Sequence, residues 1–230
     1  QVDYGSSVAD ALRRLANARA TLRKLGHADF EVLSMQIEAL NLRNSGKPQD
    51  ALRVLHQAVT LATERNLEDK IHSLNTDIGL SHFALNDYEA ARKALEPTLG
   101  SGSSESRIAL GRVNVRLRNF AAAKTQLSEA LKGIQSAGEL MLMPQLHLAL
   151  GELAYESGVQ DEARVHFMEA AESWTPELAN AASVEGRCYL GLLERRPVLI
   201  ETAIEQSQKL GRAALEVHCR SEPARLVDPR

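Results

Sequence analysis

The chain has 230 residues, 44% hydrophobic and 25% charged, enough apolar material for a sizeable core. A formal net charge of -3 with both signs interspersed lacks the basic footprint of a nucleic-acid binder, and the longest apolar run, Leu140 to Met143, is far too short to span a bilayer. Aromatics make up only 4%, Ala and Leu are abundant, and the prolines sit at the edges of periodic stretches, a composition that predicts an all-α protein.

In chain order, Val2 to Ser7 reads as a frayed start. Ser6 or Ser7 is placed to cap a helix from Val8 to about Leu25, with Leu12, Leu15, Ala18 and Leu22 on one face and Gly26 as its stop. This helix has the character of a second member of a pair without its first. Gln1 is not an initiator residue, so the chain is expected to be a piece of a longer array, with room for a targeting signal upstream.

From there helix pairs are predicted over 28-66, 67-104, 105-138, 139-175 and 176-211, with 1-27 as a half-repeat. In the first of these pairs Asp29 is a capping candidate, Gly46 turns the chain and Pro48 opens the second helix, where a missing N–H costs nothing. Pro97 and the run Gly100 to Ser104 predict a short second helix followed by a flexible connector, and the likeliest bend of the array. The pattern is clearest over Pro144 to Trp174, two apolar-periodic helices joined at Gly158. Segment 212-230 is expected to hold the first turns of a further helix and, from Glu222, a disordered end.

Two series of small residues keep one rhythm. Ala11, Ala51, Ala91, Ala123, Ala163 and Ala203 are spaced by 40, 40, 32, 40 and 40 residues, and Ala39, Gly79, Gly111, Gly151 and Gly191 repeat those spacings in the same order. A helix-turn-helix recurring at such a period is the signature of a solenoid.

The repeated positions resemble the tetratricopeptide repeat. Leu110-Gly111, Leu150-Gly151 and Leu190-Gly191 match the small residue of its first helix, Gly46, Asn86 and Gly158 its turn, and Tyr88 and Phe120 its opening aromatic. Asp50-Ala51 and Glu162-Ala163, then Leu55, Leu95, Leu127 and Phe167, match the close crossing and the large residue that fills the groove beside it. The early tryptophan of the family is absent, and the 40-residue period is closer to the long-repeat relatives found in bacterial regulators and motor light chains. The resemblance implies one α-α superhelix over the whole chain, a tetratricopeptide-like solenoid of antiparallel helix pairs.

In that family the first helix of each pair lines the concave face. The resemblance therefore places Arg43, Phe83, Arg112, Arg116, Glu152 and Tyr155 there as candidate partner-binding residues. Arg112 and Arg116, one turn apart, suit a carboxylate or acidic peptide, and the bland alternative is a solvated charged face. Phe83 and Tyr155 read equally well as interface anchors or inter-repeat core. The family's clamp for chaperone tails has no matching Lys and Asn set.

Nothing points to catalysis or a cofactor. The seven histidines never fall at i,i+3 or i,i+4, no GxSxG or phosphate loop occurs, and no cysteine has an assignable base. Cys188 and Cys219 stand far apart without CxxC spacing, which predicts two buried free thiols in a reducing compartment, no zinc site and a cytoplasmic location. The expected function is a non-catalytic module binding a protein or peptide, with no nucleic acid and no membrane insertion. The alternatives are a ligand-sensing regulatory domain of a larger signalling protein and a structural segment that self-associates as a homo-oligomer.

Overall fold

The structure, a computed structural model, describes residues 4–101, 103–172 and 181–227. The expected start of the last pair at Pro176 and the terminal Pro229 lie outside these residues. The chain divides into two compact units, Gln1–Ser101 and Gly102–Arg230, at the Gly/Ser connector where the one short spacing falls.

The first unit holds α1 (Tyr4–Leu25), α2 (Ala28–Asn44), α3 (Pro48–Glu64), α4 (Glu68–Ala84) and α5 (Tyr88–Leu95), which tightens into a 3-10 turn over Glu96–Ser101. The second holds α6 (Ser104–Arg116), α7 (Phe120–Ala137), α8 (Met143–Glu156), α9 (Gln160–Glu172), α10 (Ala181–Leu193), α11 (Pro197–Lys209) and α12 (Ala213–Val227). Among the described residues there is no strand. Each helix packs on its predecessor within a unit, and first helices also stack on one another: α2 on α4 in the first unit, α6 on α8, α8 on α10 and α10 on α12 in the second. This is the all-α, tetratricopeptide-like arrangement of helix pairs that the sequence predicts.

One local device closes each first helix. The residue at the turn takes a left-handed conformation, Gly46 at φ 77, Asn86 at φ 59 and Gly158 at φ 82. The following amide then donates to a carbonyl five residues back, as Val159 N to Ala154 O at 2.9 Å and Lys47 N to Leu42 O at 2.9 Å. Arg118 and Arg195 occupy the same turn position at positive φ in the two pairs that lack Gly or Asn there.

The repeated small residues sit where the helices cross. Ala51, Ala91, Ala123, Ala163 and Ala203 are fully buried. A Cβ placed on Gly151 would fall 2.6 Å from the Phe167 ring, and one on Gly111 2.6 Å from Leu127, so the axes close to a distance that admits only hydrogen. Phe167, Leu127, Leu95 and Leu55 are the large residues four positions beyond the alanine, each buried.

Several expectations are corrected. The first helix starts at Tyr4, so Ser6 and Ser7 lie inside it. The cap of α2 is His27, with Asp29 in its first turn, because the helix begins at Ala28. Two serines of the connector have defined roles: Ser101 ends the 3-10 turn, and the Ser103 hydroxyl accepts from Ser106 N at 3.3 Å as the cap of α6. The last helix runs on to Val227, past the expected disordered start at Glu222, because it packs on both α10 and α11.

Cys188 and Cys219 are joined in a disulfide, not free. Stacking of α10 on α12 brings the Cα atoms to 5.7 Å although 31 residues separate them, a proximity that linear spacing hides. Both sulfur-bearing residues are fully buried, in a cluster with Val184, Ala203 and Leu215. The expectation of a reducing compartment rested on free thiols and loses that ground. Among the described residues no helix is long and apolar enough to cross a membrane.

Candidate functional site

In the second unit the first helices bring four of the expected residues together. Gly111, Gly151 and Gly191 set a common register on α6, α8 and α10, so a residue one position beyond a glycine on one helix lies near its counterpart on the next. At that position stand Arg112 and Glu152. The Arg112 guanidinium donates from Nε to Glu152 Oε2 at 2.7 Å and from Nη2 to Oε1 at 3.0 Å, a two-pronged pairing, while Nη2 also donates to Glu185 Oε2 at 2.7 Å. Arg116, one turn on, donates to Glu152 Oε1 at 2.8 Å and to the Tyr189 hydroxyl at 2.8 Å. That hydroxyl donates in turn to Glu152 Oε1 at 3.2 Å.

The cluster is buried. The Glu152 side chain is 1% exposed, Arg116 6% and Arg112 17%, so neither guanidinium is a solvated surface charge. Burial alone would push the Glu152 carboxyl up; the guanidiniums of Arg112 and Arg116 overcome it and hold the pKa down at about 2. Both arginines are likewise held more firmly in the charged form, burial opposing and Glu152 prevailing. Around this ionic centre the Tyr189 ring stacks on Phe167 at 4.7 Å, and Tyr155 lies 6.3 Å from Tyr189. His218 of α12 meets the edge of Tyr189 at 5.7 Å.

The first unit places the other two expected residues. Arg43 on α2 donates to Asp77 Oδ1 on α4 at 3.0 Å, beside Gln36, which donates to Asp77 Oδ2 at 2.7 Å. Phe83 packs edge-on against Tyr88 at 5.5 Å. Arg43 therefore ties one first helix to the next, as Arg112 and Arg116 do in their own unit. Asp77, Glu185, Tyr189 and His218 escaped the sequence reading, although opposite charges at one register position in successive repeats, as at Arg112 and Glu152, are a signal that could have found this pairing.

A second feature lies in the first unit. Phe30, Leu33, Ile37 and Leu40 recur at helical spacing along one face of α2 and remain exposed, from 39% at Leu33 to 52% at Phe30. Arg19 pairs with Glu38 and Arg23 with Glu31, which seats α1 against the same helix. α1 is basic, with Arg13, Arg14, Arg19, Arg23 and Lys24 against Asp10 alone.

Among solved structures the chain is similar to BtubC (BKLC) from P. vanneervenii, at 17% identity and a TM-score of 0.62, with 94% of this chain and 93% of that one covered. It is also similar to a tetratricopeptide repeat protein from Parabacteroides merdae ATCC 43184, at 18% identity and a TM-score of 0.54, covering 98% and 85%. At these identities the likeness is one of fold, and the fold is tetratricopeptide-like. No protein-family profile matches the chain, and no curated protein matches it in sequence.

Proposed function

We propose that this chain is a non-catalytic protein-interaction module of the long-repeat tetratricopeptide type, and that it docks an amphipathic helix of a partner protein along α2. The single observation that carries this is the exposed stripe Phe30, Leu33, Ile37 and Leu40, an apolar face of the kind that soluble surfaces seldom leave bare. The second unit supplies the template for the occupant. On α8 the positions equivalent to Ile37 and Leu40 are Ala149 and Glu152, and both are buried, with another helix, α6, packed on α8. A helix is thus the shape that this face accepts, and the basic character of α1 beside it favours an occupant with Asp and Glu on its flank.

In this reading the first-helix face, the concave one in the family, is the docking side, with Leu40 at its centre and Arg43 and Phe83 toward its end. The network of Arg112, Arg116, Glu152 and Tyr155 with Tyr189 supports the scaffold: it fixes how α6, α8 and α10 seat on one another and keeps that part of the surface preformed.

The test is purification of the intact protein from its native cells, as wild type and as Ile37→Lys with Leu40→Lys, with cross-linked peptides identified by mass spectrometry. The reading expects cross-links from α2 to an acidic amphipathic segment of another protein, lost in the double variant at unchanged melting temperature. Cross-links joining α2 to a second copy of this chain would favour self-association instead, and partner capture undiminished in the double variant would remove α2 as the site.

A further inference from the structure

We propose that Cys188 and Cys219 are a thiol-oxidation site: a disulfide-donating protein oxidant closes them into their bond while the chain folds, in an oxidising compartment outside the cytosol. They are the chain's only cysteines, and the fold sets them opposite one another on successive first helices, with Cα atoms 5.7 Å apart, within the ordinary disulfide range. Packing alone asks for something else at this place. Three residues before the register glycine, α6 has Ile108 and α8 has Leu148, both buried, and α10 has Cys188. In the second unit the large aliphatic side chain gives way to a sulfur where the next first helix, α12, offers a second one.

In the folded chain both residues are fully buried, enclosed by Val184, Ala203 and Leu215 with Ile204 and Leu210 alongside. Thiol exchange needs a thiolate in contact with sulfur, so neither an oxidant nor a reductant reaches the bond once α12 has docked. The bond therefore forms before or during that docking, while both sulfurs are accessible, and persists afterwards. In a reducing cytosol the same accessible sulfurs would be kept as thiols and buried as such. A closed bond at this depth thus reports where the chain folds.

The exchange balances. The thiolate of one cysteine attacks a sulfur of the donor's disulfide, which joins chain and donor in a mixed disulfide and releases one donor thiolate. The thiolate of the other cysteine then attacks the chain's sulfur in that bond and displaces the second donor thiolate. Two chain thiols are oxidised, the donor's disulfide is reduced to two thiols, and the two protons given up by the cysteines end on the donor.

The closed bond also braces the ionic centre. Cys188 is followed by Tyr189 and Cys219 is preceded by His218, so holding the sulfurs together holds the His218 ring at the edge of Tyr189, at 5.7 Å. The Tyr189 hydroxyl in turn donates to Glu152 and accepts from Arg116.

In the experiment, native cells are fractionated in the presence of N-ethylmaleimide. The chain from each fraction is denatured in fresh reagent and weighed by mass spectrometry before and after reduction with dithiothreitol and relabelling. Expected is a chain outside the cytosol that carries no maleimide at first and takes up one at each cysteine after reduction. Maleimide on both cysteines before reduction would overturn the proposal, and so would a closed bond in a chain that fractionates with the cytosol. On the folded protein, dithiothreitol is expected to leave the bond intact until denaturant is added; ready reduction without denaturant would overturn its closure during folding. In Cys188→Ala with Cys219→Ala, amide protection is expected to fall across α12 and to persist in α6 and α7; unchanged protection of α12 would remove the brace. Should that variant fail to fold, the wild-type masses still decide.

Discussion

Two helices in one register present opposite faces. On α2, positions 37 and 40 are Ile and Leu and stay exposed, whereas on α8 the equivalent positions 149 and 152 are Ala and Glu and are buried. What lies against the face decides which chemistry it can carry. A carboxylate can be buried on α8 because α6 brings two guanidiniums to it, and a small alanine beside it admits the neighbouring helix. On α2 the residues are large and apolar, unsuited to permanent exposure and suited to being covered. At this register one unit buries a carboxylate between guanidiniums, and the other leaves apolar side chains exposed.

Removing the buried carboxylate should have the largest effect. Glu152→Ala leaves Arg112 and Arg116 without their shared partner in a buried site and should destabilise the second unit by about 3–5 kcal/mol. Loss of amide protection in α6 and α8 on hydrogen exchange would report it. Glu152 also fixes an acid sensitivity. Its folded pKa of about 2 lies below the ordinary carboxyl value of 4.5, so its contribution is fully present above about pH 4.5 and lost as the pH falls toward about 2. The stability gap between wild type and Glu152→Gln should shrink over that window.

Next comes the covalent tie that only the second unit possesses. Cys188→Ser opens a loop of 31 residues and should cost about 3–4 kcal/mol, with an intact-mass difference on reduction showing that the bond was present. The close crossing ranks third. Gly151→Ala drives a methyl toward Phe167 and should cost about 1–3 kcal/mol in a denaturant melt. The smallest effect on stability, within about 0.5 kcal/mol, is expected for Ile37→Lys with Leu40→Lys, because neither side chain has a core to lose. A larger loss there would mean that α2 is not an open face and would break the comparison.

The fold was legible because close packing writes itself into sequence. Ala163 and Gly151 must be small for α8 and α9 to meet, Phe167 must be large to fill the groove they leave, and the same demand is met by Leu55, Leu95 and Leu127 in the three preceding pairs. The partners of the charges were less legible. Arg112 and Arg116 lie one turn apart in the sequence, but what they meet is a carboxylate 40 and 36 residues away, on another helix. The disulfide was hidden for the same reason, since i,i+3 and i,i+4 rules describe one helix and this bond joins two. Phe30, Leu33 and Ile37 were hidden differently: an apolar stripe predicts burial, and only the packed structure distinguishes a face that is covered from one that is left open.

The most direct test of the central claim places a photoreactive side chain at position 37 of the intact protein in its native cells, and separately at position 155. The account predicts adducts from position 37 to an acidic amphipathic segment of a partner and none from position 155. Adducts from 155 with none from 37 would contradict it, and would move partner recognition from the apolar face of α2 to the first helices of the second unit.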